Sequence, residues 1–207
     1  MSSTNRGYAR HEFDYYVTPK WIVRDFLEKF EEKEGMKNPE DAFWLDVGCG
    51  GDEINDASYM SVIKEKYNPT KLVGLDIRRD SHASITMDFL TEYTPGGLHP
   101  DIIIANPPFS KAVEFIEKAL SIVTHGGYVI MLQRLNFFGS KARREFFDNN
   151  MPHSLYVSSK RPNFIPDNMQ RERKQNGLKR LGGDSNEYGH FVWRKGFGWD
   201  YTKTYVV

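Results

Sequence analysis

The sequence lacks most of the devices that staple, anchor or metallate a small protein. It has one cysteine, Cys49, in 207 residues, which excludes an internal disulfide and a thiolate cage for zinc. Its six histidines are scattered without metal-ligand spacing, so no metal site is expected. No apolar run approaches the length that crosses a bilayer. Residues 1–6 carry no apolar stretch of a secretory leader. These absences set the expectation of a cytoplasmic protein with no membrane contact. Charge of one sign is also missing: 28 basic residues balance 28 acidic ones, a poor start for attracting a polyanion.

What the chain has is ordered. Its length suits one α/β domain over residues 1–207 with a substantial core. Thr18-Pro19 reads as a helix start, with Thr18 as N-cap and Pro19 at the first helical position. Ile22, Phe26 and Phe30 then recur at helical spacing beside Val23 and Leu27. Strands are expected over 43–47, 71–75, 101–105 and 128–132, with helices over 53–67, from Ser110 onward, and around 141–149. The last strands fall near 154–158 and 188–193. Short alternation of strand and helix predicts a largely parallel sheet covered on both faces. The final two strands are separated only by a loop, and they are expected to pair antiparallel at the sheet edge.

Three places carry chemistry. The run Asp46-Val47-Gly48-Cys49-Gly50-Gly51 follows a strand. Its glycines permit a sharp turn and close backbone approach to a ligand. The pattern is Asp-x-Gly-x-Gly rather than Gly-x-Gly-x-x-Gly. A carboxylate there repels a pyrophosphate and suits the ammonium of an amino acid. A plain tight turn accounts for the pattern alone equally well. Asp76 ends the second strand, where a carboxylate suits two ribose hydroxyls. Asp88-Phe89 follows twelve residues later, placed to meet an adenine amino group and flank its ring.

The third place is Asn106-Pro107-Pro108-Phe109, at the end of an apolar strand. Two prolines there stop the ladder and fix a rigid turn. The turn offers a side-chain amide, backbone carbonyls and an aromatic face together. Such a set accepts hydrogen bonds from a planar amino group and stacks on the ring that bears it. The natural substrate atom is an exocyclic amine, adenine N6 first among them.

These blocks resemble those of the S-adenosylmethionine-dependent amino-methyltransferases that act on nucleic-acid bases, and in particular the DNA N6-adenine methyltransferases of bacteriophages and prophages. The resemblance runs over roughly residues 12–197, and the block order is similar to the gamma arrangement of these enzymes. It implies a Rossmann-like class I methyltransferase fold and S-adenosylmethionine as cofactor. Tyr16, Thr18, Asp46, Gly48, Gly50, Asp76, Asp88 and Phe89 would bind the cofactor, and residues 106–109 would be catalytic. The expected partner is DNA, with the target adenine extruded from its stack.

A basic segment follows the catalytic motif. Lys160, Arg161, Arg171, Arg173, Lys174, Lys179 and Arg180 face only Asp167 and Glu172. By itself the run is better explained by a solvated loop. Residues 160–187 are the candidate recognition insertion, with Lys160, Arg161, Arg171 and Arg173 on the phosphates; Phe164 covers the base's other face or, as a lone aromatic more often does, joins the core. The same catalytic motif also fits RNA adenine, cytosine N4 or a protein glutamine amide. A catalytically silent nucleic-acid-binding module is the alternative from another class. A nicotinamide dehydrogenase is disfavoured by Asp46 and by the diproline.

Overall fold

A computed structural model describes residues 16–36, 38–164, 175–178, 185–198 and 200–207. Eight strands form one sheet in the order β3-β2-β1-β4-β5-β7-β6-β8. The strands are β1 (Phe43–Val47), β2 (Lys71–Asp76), β3 (Ile85–Thr86), β4 (Ile102–Ala105), β5 (Tyr128–Arg134), β6 (Ser154–Val157), β7 (Tyr188–Arg194) and β8 (Lys203–Val206). The helices are α1 (Lys20–Glu34), α2 (Ser58–Tyr67), α3 (Ala112–Ile122) and α4 (Arg144–Asn149).

Strands β1, β4 and β5 read as near-continuous apolar runs because both of their faces are covered. One face packs Leu45, Val47, Ile103, Ala105, Val129 and Met131 against α3 and α4. The other packs Trp44, Ile102, Ile104, Ile130 and Leu132 against α1 and α2. Five apolar side chains of α1, Ile22, Val23, Phe26, Leu27 and Phe30, are fully buried there. Each such side chain contributes about 1.5–3 kcal/mol when taken out of water. The parallel strand β1 has β2 on one side and β4 on the other. That is a topological switch point, the crevice where open α/β sheets take their ligands.

Three local expectations are corrected. Thr18 is not the cap of α1: Pro19 holds the N-cap position, and its carbonyl accepts the Ile22 amide at 3.2 Å. Helix α2 starts at Ser58 rather than near residue 53. The Asp52 carboxylate accepts the Ile54 and Asn55 amides at 2.9 and 2.8 Å and holds that stretch in a turn. Helix α3 starts at Ala112 rather than at Ser110, which lies in a single 3-10 turn, Phe109–Lys111, ahead of it.

The antiparallel pairing of the late strands is present, with β7 set between β5 and β6. The edge itself belongs to β8, a strand that the sequence reading did not expect; it runs parallel to β6.

The end of α1 is tied to this half of the sheet by a buried carboxylate. Glu34 accepts hydrogen bonds from His153 Nε2 at 2.9 Å, Ser154 Oγ at 2.9 Å and Tyr156 Oη at 3.2 Å. Burial opposes its ionisation. The bonds from His153, Ser154 and Tyr156 outweigh that and hold its carboxyl below the usual range. A carboxyl lowered by folding stabilises above its unfolded pKa, and that contribution is lost as pH falls through the folded value. Glu34→Ala should therefore cost about 3–5 kcal/mol at neutral pH, the usual loss when one partner of a buried pair is removed. The gap between wild type and variant should narrow on acidification, as followed by chemical denaturation at a series of pH values.

Candidate active site

The loops leaving β1, β2 and β4 enclose a cavity of about 380 Å³. Its floor is the glycine turn, whose backbone is bent by positive φ at Gly48 (126°), Gly50 (68°) and Gly51 (85°). A Cβ on Gly48 would project into open space, and one on Gly51 would strike His82 at 2.7 Å. The turn is thus open to a ligand on one side and pressed against protein on the other. Gly48 and Cys49 both donate their amides to the Leu75 carbonyl, at 2.8 and 2.9 Å.

Asp76 is the hub beside that turn. Its Oδ2 accepts the Gly50 amide at 2.9 Å and its Oδ1 accepts the Arg78 amide at 2.8 Å. Arg78 is buried and donates from Nη2 to the Gly51 carbonyl at 2.6 Å. Ile77 between them is 51% exposed at the cavity wall, a flat apolar surface suited to a ring. Asp88 accepts the Leu90 amide at 2.8 Å, and Phe89 beside it is buried against Phe115. The sequence reading missed Arg78 and Ile77. Their signal is position, directly after the strand-ending acid.

Asp46 sits beneath the glycine turn and is fully buried. It does not line the cavity. Among the described residues neither carboxylate oxygen has a hydrogen-bond partner. Burial, and then the charge of Asp76, push its carboxyl well above the usual range. Burial and then the charges of Asp46 and Asp76 likewise raise the Cys49 thiol, which makes it an inert small filler. Tyr59 of α2 also lines the cavity, with its hydroxyl 2.8 Å from His190 Nε2. Burial lowers His190 to about 3, so this partner is a neutral imidazole at physiological pH.

The catalytic candidates occupy the β4 side. Asn106 donates from Nδ2 to Thr18 Oγ1 at 3.1 Å, which fixes the rotation of the amide. Its Oδ1 is buried without a hydrogen-bond partner among the described residues. Thr18 is thus diverted from helix capping to orienting the amide. Tyr16, Thr18, Gly48, Gly50, Asp76, Asp88, Phe89, Asn106 and Pro108 meet at the one cavity. Pro107 is buried and Phe109 half-buried, and neither lines the cavity, although their neighbour Pro108 does.

The expected substrate contacts are more dispersed. Phe164 is buried and packs edge-to-face on Tyr188 at 4.8 Å, away from the cavity wall. Lys160 lies 5.9 Å over the Trp21 ring, and Arg161 pairs with Glu187 at 2.6 Å in solvent. Arg171 and Arg173 lie outside the described residues. Among those described, no group of three or more His, Cys, Asp or Glu side chains could hold a metal ion, and no helix is long and apolar enough to cross a membrane.

No family model matches the sequence, and no curated protein matches it significantly. Solved structures do share the fold. A protein from Listeria monocytogenes assigned to the class I S-adenosylmethionine-dependent methyltransferases superposes with a TM-score of 0.57 at 16% identity, covering 92% of this chain and 65% of its own. The type IIG restriction endonuclease BpuSI gives 0.60 at 14% identity, over 92% of this chain and 26% of that one. The plantazolicin methyltransferase BpumL, solved with S-adenosylhomocysteine (SAH), gives 0.51 at 10%, over 85% and 84%. The chain therefore has the Rossmann-like class I methyltransferase fold, and it spans 65% of the Listeria protein's length.

The buried, unpaired Asp46 makes a clear prediction for the ligand-free protein. An acid whose pKa is raised by folding destabilises increasingly as pH rises above its unfolded value. Asp46→Asn should raise the melting temperature at neutral pH, and the gain should shrink toward acid. Each unit of raised pKa is worth about 1.4 kcal/mol. Unchanged melting across that range would show that the carboxylate has a partner after all.

Proposed function

We propose that the chain is an S-adenosylmethionine-dependent methyltransferase acting on the N6 amine of adenine in DNA. The observation that carries this reading is the Asn106 amide, held by Thr18 with its oxygen unsatisfied. A buried acceptor without a donor is costly to keep. A planar amine is the donor that this position calls for.

The cavity fits the cofactor. The glycine turn leaves room above Gly48, and Asp76 keeps lone pairs for ribose hydroxyls beyond its two amide bonds. Ile77 and Phe89 supply apolar surface for an adenine ring, and Asp88 stands beside them at the wall. The Asp46 carboxyl, buried beneath the turn and shifted toward its neutral form, adds little charge toward a ligand's ammonium end. When bound, S-adenosylmethionine supplies an electrophilic sulfonium methyl for transfer to nitrogen.

The residues of the chain then do the rest. Asn106 Oδ1 and the Pro107 carbonyl accept the two N6 hydrogens and turn the nitrogen lone pair out of conjugation. Phe109 stacks on the extruded ring, a contact worth about 1–3 kcal/mol. Alignment in a site closed to water supplies much of the acceleration. No strong base is required, because the proton leaves after the new bond forms. The fold likeness to a restriction endonuclease supports DNA as the substrate, and Lys160 with Arg161, Arg171 and Arg173 are the proposed phosphate contacts.

The test is direct. Protein is incubated with S-adenosylmethionine and, separately, duplex DNA, single-stranded DNA and RNA, and the digested nucleosides are weighed by mass spectrometry. N6-methyladenine from DNA is expected. Asn106→Ala should lower turnover by on the order of 100-fold or more, the scale for losing one preorganised polar contact at a reacting centre. Methylation of RNA alone, or of cytosine, would move the substrate while keeping the chemistry, and no methylated nucleoside in any sample overturns the nucleobase reading. Calorimetry should show Asp76→Ala weakening S-adenosylmethionine binding by about tenfold or more, the worth of one charge-assisted contact; unchanged affinity removes that role.

A further inference from the structure

The residue facing the catalytic turn from the neighbouring strand is Arg134, the last of β5. In the antiparallel register it stands opposite Tyr188, the first residue of β7. Strand alternation puts both on the α1 side of the sheet, with Leu132 and Val192. The Arg134 guanidinium lies 4.9 Å from the Phe109 ring centroid and 5.9 Å from that of Tyr188. Its Nε donates to the Tyr188 hydroxyl at 3.0 Å. The Phe109 and Tyr188 rings are themselves 5.9 Å apart and inclined at 43°. Tyr188 is fully buried, and Phe164 packs on it in turn.

This is a chain of contacts from a rigid strand pair to the ring of Phe109, which sits in sequence between the cavity-lining Pro108 and Ser110. Tyr188 cannot move without disturbing β5 and β7. Its hydroxyl fixes the guanidinium plane, and the guanidinium covers Phe109. Phe109 itself belongs to a short 3-10 turn and is only half-buried, packed against the α1-side core. A planar cation is suited to this task because it stacks and bonds in one fixed geometry.

We infer that Arg134 is a positioning residue, which with Tyr188 holds the Phe109 ring in the plane against which the target base lies. The inference rests on the nucleobase reading above. It assigns Arg134 an effect on how the base sits, not on cofactor capture and not merely on attraction of phosphate.

Three variants test it: Arg134→Ala, Arg134→Lys and Tyr188→Phe. The readouts are kcat and KM on an adenine-containing oligonucleotide, S-adenosylmethionine affinity, melting temperature, and the fluorescence of 2-aminopurine placed at the target position. Arg134→Ala should lower kcat by on the order of 10–100-fold, the scale of a small misplacement of reacting groups, with cofactor affinity unchanged. Arg134→Lys keeps the charge but loses the planar fork, and should not restore kcat. Tyr188→Phe should give a smaller loss in the same direction. The aminopurine signal should be less quenched in all three, reporting looser stacking.

Wild-type kcat in Arg134→Lys would show that charge alone matters and would overturn the inference. So would a lowered melting temperature with unchanged kcat per folded molecule, which marks a purely structural role. Wild-type protein that methylates no nucleobase overturns the nucleobase reading and this inference with it. Active wild type with unimpaired Arg134→Ala overturns the inference alone.

Discussion

The Asp76 carboxylate, by accepting the amides of Gly50 and Arg78, joins the two loops that leave β1 and β2. Hydrogen bonds to a charged acceptor are worth about 1.5–3 kcal/mol each. They act here against the entropy of holding Gly48, Gly50 and Gly51 at positive φ. Arg78 closes the link from the other side by donating to Gly51. The shape of the cavity floor follows from this link, because neither loop has a hydrophobic core of its own. One carboxylate therefore both builds the floor and lines the cavity above it.

The elements most legible in the sequence were those whose signal is burial. Strands β1, β2, β4 and β5 are short apolar runs bounded by polar or glycine residues, and the sheet class follows from their alternation with helices. Strands β3 and β8 gave no such signal. β3 is two exposed residues, and β8 alternates partly buried with exposed side chains at the edge. Nothing local distinguishes such segments from loop, since only the neighbouring strand makes them strands. The helix starts failed for a different reason. Thr18 has the chemistry of a cap, but its hydroxyl is engaged by Asn106. Asp52 draws amides that a helix would otherwise use. In both cases a tertiary or turn contact outcompeted local propensity.

The candidate site was legible at the strand ends. The residues after β1, β2 and β4 converge because parallel strands present their C-terminal ends along one edge. Tyr59 was invisible to that logic, since it comes from a helix face that reads as core. Arg78 was within reach. A cluster of acids beneath a backbone turn demands a cation, and the first basic residue after Asp76 supplies it. Phe164, for which the core was the alternative to a place on the base, is buried against Tyr188.

The order of strands also sorts charge along the functional edge. Asp46 and Asp76 belong to β1 and β2, whereas Arg134 ends β5 and Lys160 follows β6. Asn106, at the end of β4, lies at the boundary between the two halves. For the proposed reaction this polarity matters, because the cofactor is cationic at its reacting end and the substrate is a polyanion. The junction residue is a neutral amide. A carboxylate there would add a further buried acid beside Asp46, whose ionisation Asp76 already opposes. The amide keeps the acceptor oxygen without that charge, and its NH2 group provides the bond to Thr18 that aims it. Charge balance on the acidic side thus favours asparagine at the one position where an acceptor is needed.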